Sequence, residues 1–86
     1  MDTTRRKLKT QGRVLTPTVS IGKAGITPGT LTEIQNQLHH RGLIKVRLNK
    51  AFIADKDART VAQELAAAVN GTLVQQIGFV VVLARR

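Results

Sequence analysis

The sequence predicts a two-layer α/β sandwich, an N-terminal helix followed by strands and helices in the order β-α-β-α-β-β. Three observations carry that prediction. Residues 43–49 alternate apolar and polar side chains, the period of a strand with one buried face. Residues 27–42 are bracketed by a strong helix start and a strong helix stop. Residues 79–84 form the longest uninterrupted apolar run, six residues, which suits a central strand buried on both faces. Eighty-six residues suffice for one small domain, expected over residues 1–86.

Taken in order, residues 3–12 read as a short basic helix anchored chiefly by Leu8 and ending near Gly12. Pro17 closes any helix before it. Thr18 to Ile21 is a short strand with Val19 and Ile21 on one face, followed by the turn Gly22-Lys23-Ala24-Gly25. Thr27 is a good N-cap, and Pro28 suits the first helical position, where a missing N–H costs nothing. Ile26 and Leu31 can form a hydrophobic staple, and Leu31, Ile34 and Leu38 give a narrow apolar stripe. His39, His40 and Arg41 sit at the negative end of the helix dipole, and Gly42 is the expected left-handed terminator.

In the next strand Ile44, Val46 and Leu48 face inward, and Lys45, Arg47 and Asn49 outward. Residues 50–56 read as a loop containing Phe52. Asp55 or Asp57 caps a second long helix with Val61, Ala62, Leu65, Ala68 and Val69 inward, stopped by Asn70-Gly71. Thr72 to Ile77 and Phe79 to Arg85 are two strands joined tightly around Gly78. Right-handed crossovers place both long helices on one face of the sheet.

Composition narrows the function. Fourteen Lys and Arg against five Asp and Glu give a net charge of +9. The excess is uneven: +4 in residues 1–13 and +4 in residues 14–54, leaving +1 for the rest. So concentrated a positive charge points to a polyanionic partner, nucleic acid before a membrane, because the basic segments lack a wide apolar face to insert. At 42% hydrophobic residues the chain is not a disordered basic tail. Cysteine is absent, which excludes disulfides and thiolate metal sites and is compatible with a reducing compartment. No apolar segment approaches the ~20 residues that span a bilayer, and the amino terminus lacks a secretory signal, so a cytoplasmic location is expected.

The chemistry-bearing residues give a binding site rather than a catalytic one. Gly22-Lys23-Ala24-Gly25 lies between a strand and a helix amino terminus. Two glycines there let backbone approach a ligand, free N–H groups attract anions, and Lys23 adds a mobile charge. KH domains clamp nucleic-acid backbone with such a G-x-x-G loop, although two glycines three apart are commonly just a tight turn. On this reading Gly25→Asp weakens RNA binding and leaves the fold intact. Lys45 and Arg47 share an outward strand face. Arg5, Arg6, Lys7 and Lys9 cover more than one side of the first helix, so only a subset reaches one ligand; Arg5, Lys9 and the following Arg13 are the candidates.

Ser20 is the only serine and has no histidine at a suggestive spacing. His39 and His40 diverge by about 100° on a helix and cannot jointly grip a metal. Asp55 and Asp57 are explained by capping. No P-loop or dinucleotide fingerprint is present, so neither an enzyme nor a cofactor is expected. With Phe52 and Phe79 the only aromatics, the sequence offers no platform like those on which RRM and OB-fold proteins stack bases. Binding through backbone charge and shape is expected, with a preference for structured segments.

Thr18-Val19-Ser20-Ile21-Gly22-Lys23-Ala24-Gly25-Ile26-Thr27, Leu43-Ile44-Lys45-Val46-Arg47, Val74-Gln75-Gln76-Ile77-Gly78 and Leu83-Ala84-Arg85 together resemble the CRM (chloroplast RNA splicing and ribosome maturation) domain family, whose stand-alone prokaryotic form is the YhbY type. The resemblance covers essentially the whole chain. It implies an RNA-binding domain similar in fold to the C-terminal domain of translation initiation factor three, with a four-stranded mixed sheet of order 1-2-4-3 and strand 4 antiparallel to the others. It also implies a role in assembly of the large ribosomal subunit and, by position, RNA contacts from Gly22 to Gly25, Lys45, Arg47 and Arg85. Gly42 stands where the family often has Glu. Ala84 stands where a Tyr often precedes the arginine, which removes a possible stacking surface.

The resulting expectation is a monomeric, non-catalytic RNA-binding protein acting on structured ribosomal RNA. The alternative is an Alba-like nucleoid protein that coats double-stranded DNA, whose Ile-Gly-Lys-Lys-Pro turn resembles Ile21-Gly22-Lys23-Ala24-Gly25.

Overall fold

A computed structural model describes residues 19–86. The helix expected over residues 3–12, and Arg5, Lys9 and Arg13 with it, lie outside the described residues. The order of elements is β1 (Val19–Ile21), α1 (Pro28–Arg41), β2 (Leu43–Leu48), α2 (Lys50–Ile53), α3 (Ala58–Ala68), β3 (Gly71–Ile77) and β4 (Val80–Arg85). The four strands form one mixed sheet in the order β1-β2-β4-β3. β1 runs parallel to β2, while β4 is antiparallel to both of its neighbours. This is the arrangement the family resemblance implies.

The strand alternation is realised in full. Ile44, Val46 and Leu48 are buried under the helices with Val19, Ile21, Val81 and Leu83, in one cluster that also holds Ile34 and Leu38 of α1 and Val61, Ala62 and Leu65 of α3. Both long helices therefore cover the same face. Each such side chain stabilises the fold by about 2 kcal/mol when removed from water. Val82, Ala84 and Val74 form a smaller buried cluster on the opposite face. β4 is thus apolar on both sides because it is central and buried on both sides. Lys45 and Arg47 project on the face away from α1 and α3.

The caps behave as the sequence predicts. Thr27 is extended and its Oγ1 accepts the Thr30 N–H at 3.2 Å, so one orphan donor at the start of α1 is satisfied. Gly42 ends α1 at φ +79°, donating its N–H to Leu38 O at 2.9 Å. At α3 the N-cap is Asp57, not Asp55. Its carboxylate accepts the Thr60 hydroxyl at 2.8 Å, and chiefly that bond holds its pKa below the ordinary carboxylate value.

Three details differ from the sequence reading. The segment read as a loop after Leu48 contains the short helix α2, because Asn49 leaves the strand and caps it: its Oδ1 accepts the N–H groups of Ala51 and Phe52 at 2.8 and 3.2 Å. Ile53 of that helix is a core residue. On α3, Ala66 is buried and Ala68 exposed, the reverse of the expected pattern, since the buried face runs through Ala62 and Ala66 one turn apart. β3 lies at the edge of the sheet, and its pairing with β4 slips by one residue between Leu73 and Gln75, leaving Val74 as an extra residue. No helix among the described residues is long and apolar enough to cross a membrane.

Candidate nucleic-acid interface

β1 and β2 end together. The Asn49 N–H donates to Ile21 O at 3.0 Å, so the chain leaves β1 into the glycine turn at the same end of the sheet where β2 leaves into α2. The turn itself closes by a bond from Gly25 N–H to Gly22 O at 2.9 Å. Gly22, Lys23 and Ala24 are exposed, while Gly25 is buried. Among the described residues, the amides of Lys23 and Ala24 meet no acceptor and Lys23 makes no ion pair. The turn leads directly into α1, a fourteen-residue helix with no acidic residue in its first turn, so nothing there opposes the positive end of its dipole.

The two glycines have different reasons for being glycine. A Cβ at Gly22 would meet nothing within 4 Å. Gly25 sits at φ +85°, and a Cβ there would lie 2.5 Å from Cε1 of Phe52. Phe52 is held in place by α2, half-buried against the core, with Lys56 Nζ 5.3 Å from its ring centroid. The left-handed backbone at Gly25 and the ring packed against it oppose the expectation that Gly25→Asp spares the fold. Gly22 is the position where a charge can be added without a structural cost.

Arg47 is exposed and pairs across to Ser20 in β1, one strand from the turn. On its other side it pairs with Val80, which pairs with Ile77, so Ser20, Arg47, Val80 and Ile77 form a row across the open face. Lys45 stands two residues farther down, about 7 Å away along the strand, and is half-exposed. Lys50 and Lys56, which the sequence reading did not select, join this end of the molecule through α2 and the segment after it. Lys50 Nζ lies 5.5 Å from the Phe79 ring centroid. The signal that could have found them is Asn49, a helix cap directly after a strand. Lys56 forms an ion pair with Asp55 at 3.3 Å. Lys23, Arg47 and Lys50, by contrast, carry charge with no carboxylate partner among the described residues.

Phe79 stands beside the Gly78 turn, as expected, with its carbonyl accepting the Leu48 N–H at 2.6 Å. It precedes β4 in the hairpin turn and is 41% exposed, so an aromatic face is available after all.

Arg85 belongs to the opposite pole. It lies about 17 Å down β4 from the glycine-turn end of the sheet. Its Nη1 donates to His39 O at 2.6 Å, and its N–H donates to Gly42 O at 2.8 Å. The guanidinium therefore closes the C-terminus of α1, where a cation is favoured by the helix dipole. Replacing Arg85 by Ala is expected to cost about 1 kcal/mol of stability in urea denaturation. The salt dependence of nucleic-acid binding should stay the same; a flattened salt dependence would return Arg85 to the contact surface.

The described residues hold no cluster of three or more metal-ligating side chains. Comparison with known proteins gives a consistent result. The chain is 39% identical over 79 residues to a Haemophilus influenzae protein named as an RNA-binding protein, a match spanning 91% of this chain and 77% of that one. It is 36% identical over 81 residues to a Methanocaldococcus jannaschii protein named a probable RNA-binding protein; that match spans 94% of this chain but only 60% of the longer archaeal one. The solution structure of a hypothetical Staphylococcus aureus protein, described with it as a candidate RNA-binding protein, superposes with a TM-score of 0.79 at 33% identity, covering 95% of this chain and 83% of that one. The CRS1/YhbY (CRM) domain profile matches residues 1–85, and the chain belongs to that family.

Proposed function

We propose that the chain is a cytoplasmic, monomeric RNA-binding protein, one domain over residues 1–86, that holds structured ribosomal RNA during assembly of the large ribosomal subunit. The family is one of non-catalytic RNA-binding domains. The observation that carries the site assignment is the exposed Gly22-Lys23-Ala24 turn, whose free amides stand at the start of α1 beside a lysine without a carboxylate partner among the described residues. Such a turn meets phosphate oxygens with backbone donors and a point charge, and it carries no sequence information by itself. Arg47 and Lys45 extend the positive surface along β2 on the open face of the sheet. Arg85, fixed on α1, contributes to the fold in this reading and not to the contact.

The test is competition at near-physiological salt between a folded ribosomal RNA fragment, single-stranded RNA and duplex DNA of matched length. Preference for the folded RNA, kept as salt rises, is the expected result. Lys23→Gln should reduce the slope of log affinity against log salt by about one unit. Equal or tighter binding to duplex DNA, growing cooperatively with length, would overturn the reading in favour of a DNA-coating protein.

A further inference from the structure

Among the described residues two large apolar side chains are left exposed, Ile77 at 61% and Phe79 at 41%, and both flank Gly78 in the β3–β4 hairpin. Hydrogen bonds tie down the backbone of the turn that carries them. Gly78 takes φ +57°, its carbonyl accepts from Gln76 Nε2 at 2.9 Å, and the Phe79 carbonyl accepts the Leu48 N–H at 2.6 Å. Beside the ring lies an open recess of about 670 Å³ whose lining includes Arg47, Leu48, Asn49, Lys50, Phe79 and Val80. That volume is within the range that takes small organic groups.

We infer that Phe79, with Arg47, Asn49 and Lys50 around it, is a subsite for one unpaired nucleobase of the bound RNA. The inference rests on the RNA-binding reading above and adds to it the part of the nucleotide that the glycine turn cannot read. The chemistry of the recess fits a base. The ring supplies a stacking face, which any base can use once the Lys50 ammonium, 5.5 Å from its centroid, turns toward the flanking phosphates. Lys50 and Arg47 supply positive charge for the flanking phosphates, and no carboxylate lines the recess. Asn49 spends its Oδ1 on the amides of α2, which leaves its side-chain NH₂ to donate to a base acceptor.

Placement makes the link to the glycine turn. Asn49 N–H is bonded to Ile21 O on one side, and Leu48 N–H to Phe79 O on the other. The turn and the ring therefore flank the end of β2, about two strand spacings or roughly 10 Å apart. A strand whose phosphate is held at Gly22-Lys23-Ala24 passes its neighbouring base to Phe79. Two apolar side chains are far too small a patch for a stable protein interface, which buries about 800 Å² per partner.

The experiment uses the full chain and two RNA probes, a duplex interrupted by a bulge of unpaired adenosines and the same duplex fully paired. Phe79→Leu removes the aromatic face without changing charge. It is expected to weaken binding of the bulged probe about tenfold, leaving the paired probe and both salt slopes unchanged. Phe79→Trp keeps a stacking face and introduces the only indole in the chain, whose fluorescence should be quenched by the bulged probe alone. Equal affinity of Phe79→Leu and the parent for the bulged probe, with the indole fluorescence of Phe79→Trp unmoved, would overturn the subsite while leaving the phosphate site standing. A change from dimer to monomer in sedimentation on Phe79→Leu would also overturn it, because the patch would then join two copies of the chain. Binding of neither probe by the parent protein would overturn the RNA reading and the subsite with it.

Discussion

Gly25→Ala is expected to destabilise the protein by about 3 kcal/mol, the sum of a left-handed backbone imposed on an L-residue and an overpacked contact. The added Cβ would lie 2.5 Å from the Phe52 ring, at a residue whose φ is +85°. That loss is a large share of the roughly 5–15 kcal/mol that holds a small domain together. Urea denaturation of the single variant and of Gly25→Ala in a Phe52→Ala background separates the two causes. With the ring gone, the glycine substitution should cost only the backbone component, about 1–2 kcal/mol. An equal cost in both backgrounds would show that Phe52 yields freely. A practical consequence is that loss of RNA binding in Gly25 variants does not by itself identify a phosphate contact. Gly22→Asp, with open space around the new side chain, is the informative substitution.

The second large effect is electrostatic. Exchanging Lys23, Arg47 and Lys50 together for Gln should lower the slope of log affinity against log salt by about 2–3 units and weaken binding at moderate salt by more than tenfold. These three cations are exposed and have no carboxylate partner among the described residues, so each is free to displace a counterion from RNA. The measurement is a salt titration of affinity for a folded RNA, with thermal unfolding as the control for stability. An unchanged slope would move the phosphate path away from the glycine-turn end of the sheet. Because the single exchange at Lys23 is expected to remove one unit, the triple variant also tests whether the contacts act independently.

Much of the fold is legible in the sequence because its signals are local. The alternation Ile44, Val46, Leu48 marks β2, the caps Thr27 and Gly42 bound α1, and the apolar run before Arg85 marks a central strand. The glycine turn and Arg47 are found for the same reason. α2 is missed because four residues are too few to show a helical period, and only Asn49 hints at it. With α2 hidden, Lys50 and Lys56 look like loop charges rather than members of the basic end. What else the sequence does not show depends on contacts distant along the chain. Nothing near Gly25 reveals that Phe52 packs on it, and nothing near Arg85 reveals that its guanidinium bonds a carbonyl 46 residues earlier. Phe79 reads as the first residue of the last strand; the tight turn at Gly78 keeps its carbonyl bonded to Leu48 N–H but leaves its ring exposed, which the sequence does not show.

The slipped register of β3 bears on how the protein behaves when crowded. An edge strand of seven residues offers a row of free amides and carbonyls on which another chain could template its own strand, the first step toward insoluble aggregates. The extra residue at Val74 breaks that row near its middle and bends the strand, so no straight partner can hydrogen-bond along its whole length. Together with like-charge repulsion at +9, the irregular edge opposes edge-to-edge pairing between copies of this chain.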